Sequence, residues 1–450
     1  MTVEELRELL ESRRYKELRA AFADMNVVRI AEFCEDLPPN RALVAFRTLP
    51  KEIEADVFAE LSGDAQGRLI EALSDADILE IIDDLMVDDV VDLLEEIPAN
   101  LVTRIKRLIP KLPAEQVELI NRFLLYSENS AGSIMTAEFT DLKKGMSVAD
   151  AIKRIRRVGE DRETIYTCYV TDETRHLIGV ITVRDLLLAD DDASVDDLMD
   201  YDVVSVGTAQ DREEAVQLIA RYGFMALPVV DAENRLVGIV TVDDAVDVIQ
   251  EENTEDFEKM AAMTPSEAEY LKTSVFRLAR NRLTWLLVLM VSGMITGYIL
   301  GYYEELFAVL PLLVTFIPML ADTGGNAGSQ SSTMVIRGMV LGEVYTGDWA
   351  KVLLKEIVVS VIVAVPLAAV NYLRIILMYS QDNRFAIGIV VSLAMVCTVV
   401  IANTIGGLLP IAAKRFRIDP AIMAAPLITT IVDALSLIIY FNIAEGMLRL

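Results

Sequence analysis

The sequence predicts a multi-domain membrane protein: an α-helical N-terminal superhelix, an α+β tandem, and an all-α five-helix transmembrane domain. Three observations carry this. Charge crowds residues 1 to 270, while residues 283 to 450 read as a chain of long apolar runs. An α+β segment occurs twice between residues 131 and 250, and short helical periodicities repeat through the first 130 residues. With 53% hydrophobic and 24% charged residues over 450 positions, the chain is too apolar for a soluble protein and too polar for a wholly embedded one. That length accommodates two or three soluble domains and a membrane domain.

The net charge of -28, from 69 acidic against 41 basic residues, lies mostly in the first part. Such a surface repels nucleic acid and anionic lipid heads, which excludes a nucleic-acid partner. It attracts cations, and carboxylate oxygens suit hard divalent ions. One histidine, His176, and three scattered cysteines, Cys34, Cys168 and Cys397, leave no zinc-site spacing, no HExxH helix and no disulfide framework. The soluble part is therefore expected in a reducing compartment. The acidic, amphipathic start MTVEELRELLESRRY is not read as a cleaved signal peptide. No nucleophile and base stand in an enzyme-like pattern, so no enzymatic activity is expected.

Residues 1 to 130 form an acidic helical domain. LPPNRALVAFRTLP, EIEADVFAELS, AQGRLIEALS, DADILEIIDDLM and VDDVVDLLEEIP each carry apolar residues at three- and four-residue spacing and break before the next begins. This predicts a stack of helical hairpins. Asp83, Asp84, Asp88, Asp89 and Asp92 fall on consecutive helices with few lysines between them.

Residues 131 to 250 hold the repeat. SIMTAEFTDLKKGMSVADAIKRIR and ETIYTCYVTDETRHLIGVITVRDLL are followed by DLMDYDVVSVGTAQDREEAVQLIARYG and FMALPVVDAENRLVGIVTVDDAV. Each copy places a helix between β-rich stretches closed by turn residues. The recurring GVITVRDLL and GIVTVDDAV endings and the LPVVD strand resemble a pair of cystathionine-β-synthase (CBS) domains. That resemblance implies a regulatory module in which adenine nucleotides are held beside a terminal (S/T)xxD, here Thr182 to Asp185 and Thr241 to Asp244.

Residues 251 to 275, EENTEDFEKMAAMTPSEAEYLKTSV, make an acidic, plug-like connecting helix between this pair and the membrane. Residues 276 to 450 form the transmembrane domain, with five spans at about 283 to 300, 306 to 336, 352 to 378, 385 to 412 and 420 to 445. Arg277, Arg280, Arg282, Arg337, Lys351, Lys355, Lys414, Arg415 and Arg417 flank the ends on one side, and Glu304, Glu305, Asp382 and Arg384 the other. The positive-inside asymmetry puts the N-terminal domains in the cytoplasm and the C-terminus outside. The second span, FIPMLADTGGNAGSQSSTMVIRG, is read as interrupted by Pro318 and by Gly324, Gly325 and Gly328. Thr323, Asn326 and Gln330 supply neutral oxygens on what is expected to be both a packing seam and a binding face. Lys355 and Arg374 are read as snorkelling.

The fifth span, DPAIMAAPLITTIVDALSLIIY, carries one carboxylate, Asp433, near its middle. An ionisable residue there is costly, and its default place is a bundle interior or a water-filled path.

Taken together, the acidic helical domain, the CBS pair, the acidic connector and five spans with TGGNAGSQ in the second and Pro426 to Asp433 in the fifth resemble the MgtE family of bacterial magnesium transporters and channels. The resemblance spans essentially the whole chain. It implies a homodimer in the bacterial inner membrane, with a pore on the two-fold axis lined by Gly324, Gly325, Asn326, Gly328 and Pro426, and with Asp433 holding hydrated Mg²⁺. It further implies that regulatory Mg²⁺ ions bridge the soluble domains and shut the pore when internal Mg²⁺ is high. By motif, Asp88, Asp92, Asp244, Asp247, Glu252, Glu255, Asp256 and Asp419 match the bridging positions. Glu213 matches a further metal position, although Gly223 stands where its partner aspartate belongs. Arg184, Asp185 and Phe224 match nucleotide-contacting positions, whereas Thr167 replaces an aromatic, which leaves ATP as a cofactor open. Ala425 before Pro426, where an amide residue can occur, and Asp322 before TGGN are further departures. The competing reading is a nucleotide-sensing, CBS-controlled transporter of another substrate or divalent cation.

Overall fold

The computed structural model describes residues 2–266, 270–271, 273–304, 310–380, 382–423 and 425–448. Two compact units emerge, residues 1–249 and 250–450. The first begins with ten short helices: α1 (Val3–Glu11), α2 (Tyr15–Ala23), α3 (Val27–Glu35), α4 (Pro39–Phe46), α5 (Glu54–Ala59), α6 (Gly63–Ala72), α7 (Asp75–Asp84), α8 (Val87–Glu96), α9 (Ala99–Lys106) and α10 (Ala114–Phe123). Local signals set their starts. Thr2 and Ser74 close capping boxes with Glu5 and Asp77. Pro38, Pro98 and Pro113, which in the sequence look like stops, stand at the caps of α4, α9 and α10, where a missing N–H costs nothing. The inward faces meet through aromatic pairs such as Phe22 with Phe33 and Phe46 with Phe58.

The repeat follows. β1 (Asp141–Lys143), α11 (Val148–Val158), β2 (Thr167–Thr171), β3 (Leu177–Thr182), α12 (Val183–Leu188) and α13 (Val195–Leu198) make the first copy. In it β1 runs parallel to β2, and β2 pairs antiparallel with β3. The second copy repeats that order in β4 (Val206–Gly207), α14 (Arg212–Tyr222), β5 (Ala226–Val230), β6 (Leu236–Thr241) and α15 (Val242–Met260). The copies meet through Phe139, Tyr169, Ala226, Leu236 and Ile239. The helical stack and the second copy share one apolar core, in which Val90, Leu94 and Ile105 belong with Val206, Leu227 and Val248.

Helix α15 continues without a break from the end of the repeat through Gln250, where the second unit begins. It stops at Met260, and Ala262 takes a positive φ of 53°. The helix expected across 251 to 275 is therefore shorter than its segment, part of which (267–269 and 272) lies outside the described residues.

The second unit contains five long helices among the described residues: α16 (Val275–Tyr302), α17 (Ile317–Val340), α18 (Trp349–Met378), α19 (Arg384–Arg415) and α20 (Ala425–Leu448). Four of them, all but α17, are long and apolar enough to cross a membrane. At 24 residues α17 also reaches about 36 Å, but glycine, serine, threonine and amide residues lower its apolar character. Residues 306–309 of the second expected span lie outside the described residues, as does Glu305. The interruption falls ahead of the glycines: the span changes from a 3-10 helix, Pro311–Phe316, to α-helix just before Pro318, and α17 then runs unbroken through all three glycines. Pro318 sits in its first turn, where proline is tolerated. Helix α19 is buried along half of its apolar length, whereas α16 is buried along none of its own.

Candidate functional site

The membrane unit places two chemistries on two faces of α17. Pro318, Asp322, Asn326, Gln330, Thr333 and Arg337 are exposed, at steps of three or four residues, and so form one stripe. Gly324, Gly325 and Gly328 are buried away from that stripe. A Cβ on Gly324 would lie 2.6 Å from Thr398 and 2.8 Å from Val432, one on Gly325 2.9 Å from Thr429, and one on Gly328 2.7 Å from Ile428. Facing them on α19, a Cβ on Gly406 would lie 2.2 Å from the carbonyl oxygen of Gly328. The glycines thus bring α17 against α19 and α20 at backbone contact. One face was expected to both pack and bind; the glycines lie in the packing seam, and Asn326 lies outside it on the exposed stripe.

Helix α20 is anchored beside this seam. The Pro426 carbonyl accepts hydrogen bonds from the Thr429 and Thr430 hydroxyls, each at 3.0 Å. Ser332 of α17 donates to the Met423 carbonyl at 2.8 Å, and Ser331 donates to that of Asn403 at 3.0 Å. Asp433 is half-buried on α20, close enough to Asp322 for their charges to interact. Ala425 is the first residue of α20.

A second acidic group lies at the start of this unit. Lys259 Nζ sits 2.6 Å from Glu255 Oε1 and 2.7 Å from Asp419 Oδ2. Burial opposes the charge on Lys259, but these two partners push its pKa up to about 12. Asp256 rises to about 6 through burial and the nearby Asp419. Glu252 acts on it from one turn away. Asp419 also accepts the Ala421 N–H at 2.8 Å, so one carboxylate joins the ammonium to the turn that leads into α20.

The third group lies in the first unit and is built from four elements. Asp88, Asp89 and Asp92 come from α8, Glu138 from the stretch before β1, Glu163 from the loop before β2, and Asp243, Asp244 and Asp247 from the first turns of α15. Burial, then mutual repulsion, pushes Asp89 to about 6, Asp92 to about 7 and Glu163 to about 7. Asp88 and Asp244 are raised for the same reasons. Asp92 keeps more contact with solvent than Asp88 or Asp89. Thr136 Oγ1 donates to Glu138 at 2.8 Å and lies 3.4 Å from Asp88, and Thr241 donates to Asp244 at 2.5 Å.

The sequence reading included Asp88, Asp92, Asp244 and Asp247 in this group. It assigned no role to Glu138 and Glu163, because only the fold brings those loops to α8, and it named Asp89 on α8 without a bridging role. Among the described residues no three metal-ligating side chains are close enough to enclose an ion. The chemistry still fits a divalent cation: like charges held together with few counter-charges, in reach of an ion that keeps its water shell.

The nucleotide positions split. A cleft of about 540 Å³ in the first unit is lined by Arg184 and Asp185 with Tyr166, Thr167, Thr182 and Met225. The Asp185 carboxylate closes a capping box on Thr182. Tyr166, 68% exposed, stands next to Thr167 and puts an aromatic ring on the cleft wall. Phe224 stacks instead on Tyr222, with ring centroids 5.2 Å apart. Glu213, in the first turn of α14, accepts from Gln217 at 2.9 Å. Gly223 ends that helix at φ 69°, a left-handed cap that glycine adopts without strain and aspartate does not.

A family model described as a divalent cation transporter, MgtE, matches residues 317–443, one for the MgtE intracellular N domain matches 25–129, and CBS domains match 131–192 and 195–251. The magnesium transporter MgtE of Thermus thermophilus is 34% identical over 448 residues, covering 99% of this chain and 98% of its own. That of Bacillus subtilis is 31% identical over 441 residues, covering 98% and 96%. The cytosolic domain of the Mg²⁺ channel MgtE in complex with ATP is 35% identical with a TM-score of 0.51, and the match covers 55% of this chain and 100% of that one.

Proposed function

The chain belongs to the MgtE family of magnesium transporters, not to an enzyme family, and from that premise we propose that it carries Mg²⁺ across the bacterial inner membrane as a homodimer. The observation that carries this is the polar stripe of α17 beside Asp433. Asp322, Asn326, Gln330 and Thr333 are exposed on a helix of membrane-crossing length, and hydrocarbon does not tolerate such a face. A second copy across a two-fold axis turns two such faces into one water-filled path and doubles the carboxylates along it. Mg²⁺ sheds water reluctantly, so carboxylate and amide oxygens hold it through its shell. Paired carboxylates also favour a divalent ion over a monovalent one.

Asn326 and Asp433 line the path in this reading, and Gly324, Gly325, Gly328 and Pro426 position them. The soluble carboxylates sense internal Mg²⁺. Asp88, Asp92, Asp244 and Asp247 form one group, and Glu252, Glu255, Asp256 and Asp419 another. Bound Mg²⁺ neutralises each group and holds the closed form. Loss of the ion leaves like charges that repel, and the pore opens. Glu213 is left with a lesser role, since Gly223 cannot supply its partner. The N-terminal domains face the cytoplasm and the C-terminus lies outside.

The cleft at Arg184, Asp185 and Tyr166 supports ATP as a second, regulatory ligand, since a relative 35% identical over this region was solved with ATP. Asp433→Asn and Asp433→Ala are expected to abolish Mg²⁺ uptake while the protein still purifies as a dimer. Normal uptake by both variants overturns the pore assignment.

A further inference from the structure

In a chain of net charge -28, one cavity of the first unit is basic. It holds about 190 Å³ and shares no lining residue with the cleft of Arg184 and Asp185. Asp141, Lys143, Arg162, Thr171, Arg175 and Leu236 line it. Its only carboxylate is already neutralised. Arg154, outside the lining, donates to the Asp141 carboxylate, and its Nε donates to the Asp141 carbonyl at 2.7 Å. Lys143 Nζ lies 3.2 Å from the same carboxylate and donates to Thr171 Oγ1 at 2.9 Å. Burial opposes ionisation of Asp141, yet these cations hold its pKa below the ordinary value.

Two guanidinium groups are then left over. Arg162 Nε is buried without a hydrogen-bond partner, and such groups are rare enough to call for a ligand or water. Arg175, solvent-exposed at the cavity rim, reaches only the Leu236 carbonyl among the described residues, at 3.4 Å. Its backbone sits at φ 70°, a left-handed conformation that costs a non-glycine residue energy. Neither arginine has a carboxylate partner among the described residues.

We infer that this cavity binds a small oxyanion of phosphate or sulfate size, held by Arg162 and Arg175 with Lys143 beside them. Planar guanidinium groups match two oxygens of such an ion at once. The volume lies below the roughly 300–1,000 Å³ that drug-sized ligands occupy, so a free oxyanion fits and a whole nucleotide does not. The site is independent of the pore reading, because no residue of it belongs to the carboxylate groups or the membrane unit.

Calorimetric titration of the full-length protein in detergent with inorganic phosphate, at constant ionic strength and Mg²⁺, tests this. Saturable binding is expected in the native protein, weakened tenfold or more by Arg162→Gln and by Arg175→Gly, and unchanged by Arg184→Gln. Arg175→Gly also removes the backbone strain, so its melting temperature without phosphate is expected to hold or rise, which separates loss of the ligand from loss of the fold. No saturable heat with phosphate or sulfate, or equal affinity in the two cavity variants, overturns the inference. So does phosphate binding that vanishes on saturation with ATP and in Arg184→Gln, since the oxyanion then occupies the nucleotide cleft.

Discussion

Replacing Asp89 with asparagine is expected to stabilise the protein. Its carboxyl group is half-buried in α8, and burial followed by repulsion from Asp244 and Glu138 raises its pKa from an ordinary 3.8 to about 6. At about 1.4 kcal/mol per tenfold change in proton affinity, that shift corresponds to a ceiling of about 3 kcal/mol against the folded state. Partial exposure and the sharing of repulsion among neighbours reduce this to about 1–2 kcal/mol. The sign follows from the raised value. The folded state holds its proton more tightly than the unfolded one, so the penalty is fully present above pH 6 and disappears as pH falls toward 4. For a soluble unit of 249 residues, Asp89→Asn should raise the melting temperature at pH 7.5 in chelator by about 2–6 °C. The gain should vanish at pH 4. Added Mg²⁺ should then stabilise the native protein more than the variant, because the ion relieves the charge that the substitution has already removed. Scanning calorimetry of the full chain at both pH values, with and without Mg²⁺, reads all of this. An unchanged or lower melting temperature at pH 7.5, or a gain that persists at pH 4, refutes the reasoning.

Two other outcomes follow from the geometry. Gly406→Ala places a methyl group on the Gly328 carbonyl, which backbone alone cannot yield to, and at about 1–3 kcal/mol or more for overpacking the variant should purify poorly or melt early; wild-type thermal stability in detergent counts against the seam. Tyr166→Ala should weaken ATP binding at least tenfold by fluorescence titration, in line with about 1–3 kcal/mol for a stacked base, and equal affinity removes Tyr166 from the cleft.

Much of the fold was legible because its signals are periodic. The hairpin stack declared itself through apolar spacing between Leu6 and Phe123, and the repeat through paired GVITV and GIVTV strands. Asp433 drew attention for a different reason, as a lone carboxylate in an apolar run. What escaped were relations that need three dimensions. Glu138 and Glu163 lie in loops far from Asp89, and nothing local marks them as its neighbours. Tyr166 was passed over because only the fold shows that the residue just before β2 lines the same cleft as Thr167. The second span was expected to break at its glycines as well as near Pro318, because glycine's helix penalty was weighed without the close packing of α17, α19 and α20, which offsets it.

The contact between Gly328 and Gly406 also has a mechanical meaning. Two helices that touch backbone to backbone have no side-chain layer to shear, so α17 and α19 behave as one stiff lever. In the reading proposed above, motions large enough to pass an ion therefore fall where helices are joined by longer side chains rather than at this seam.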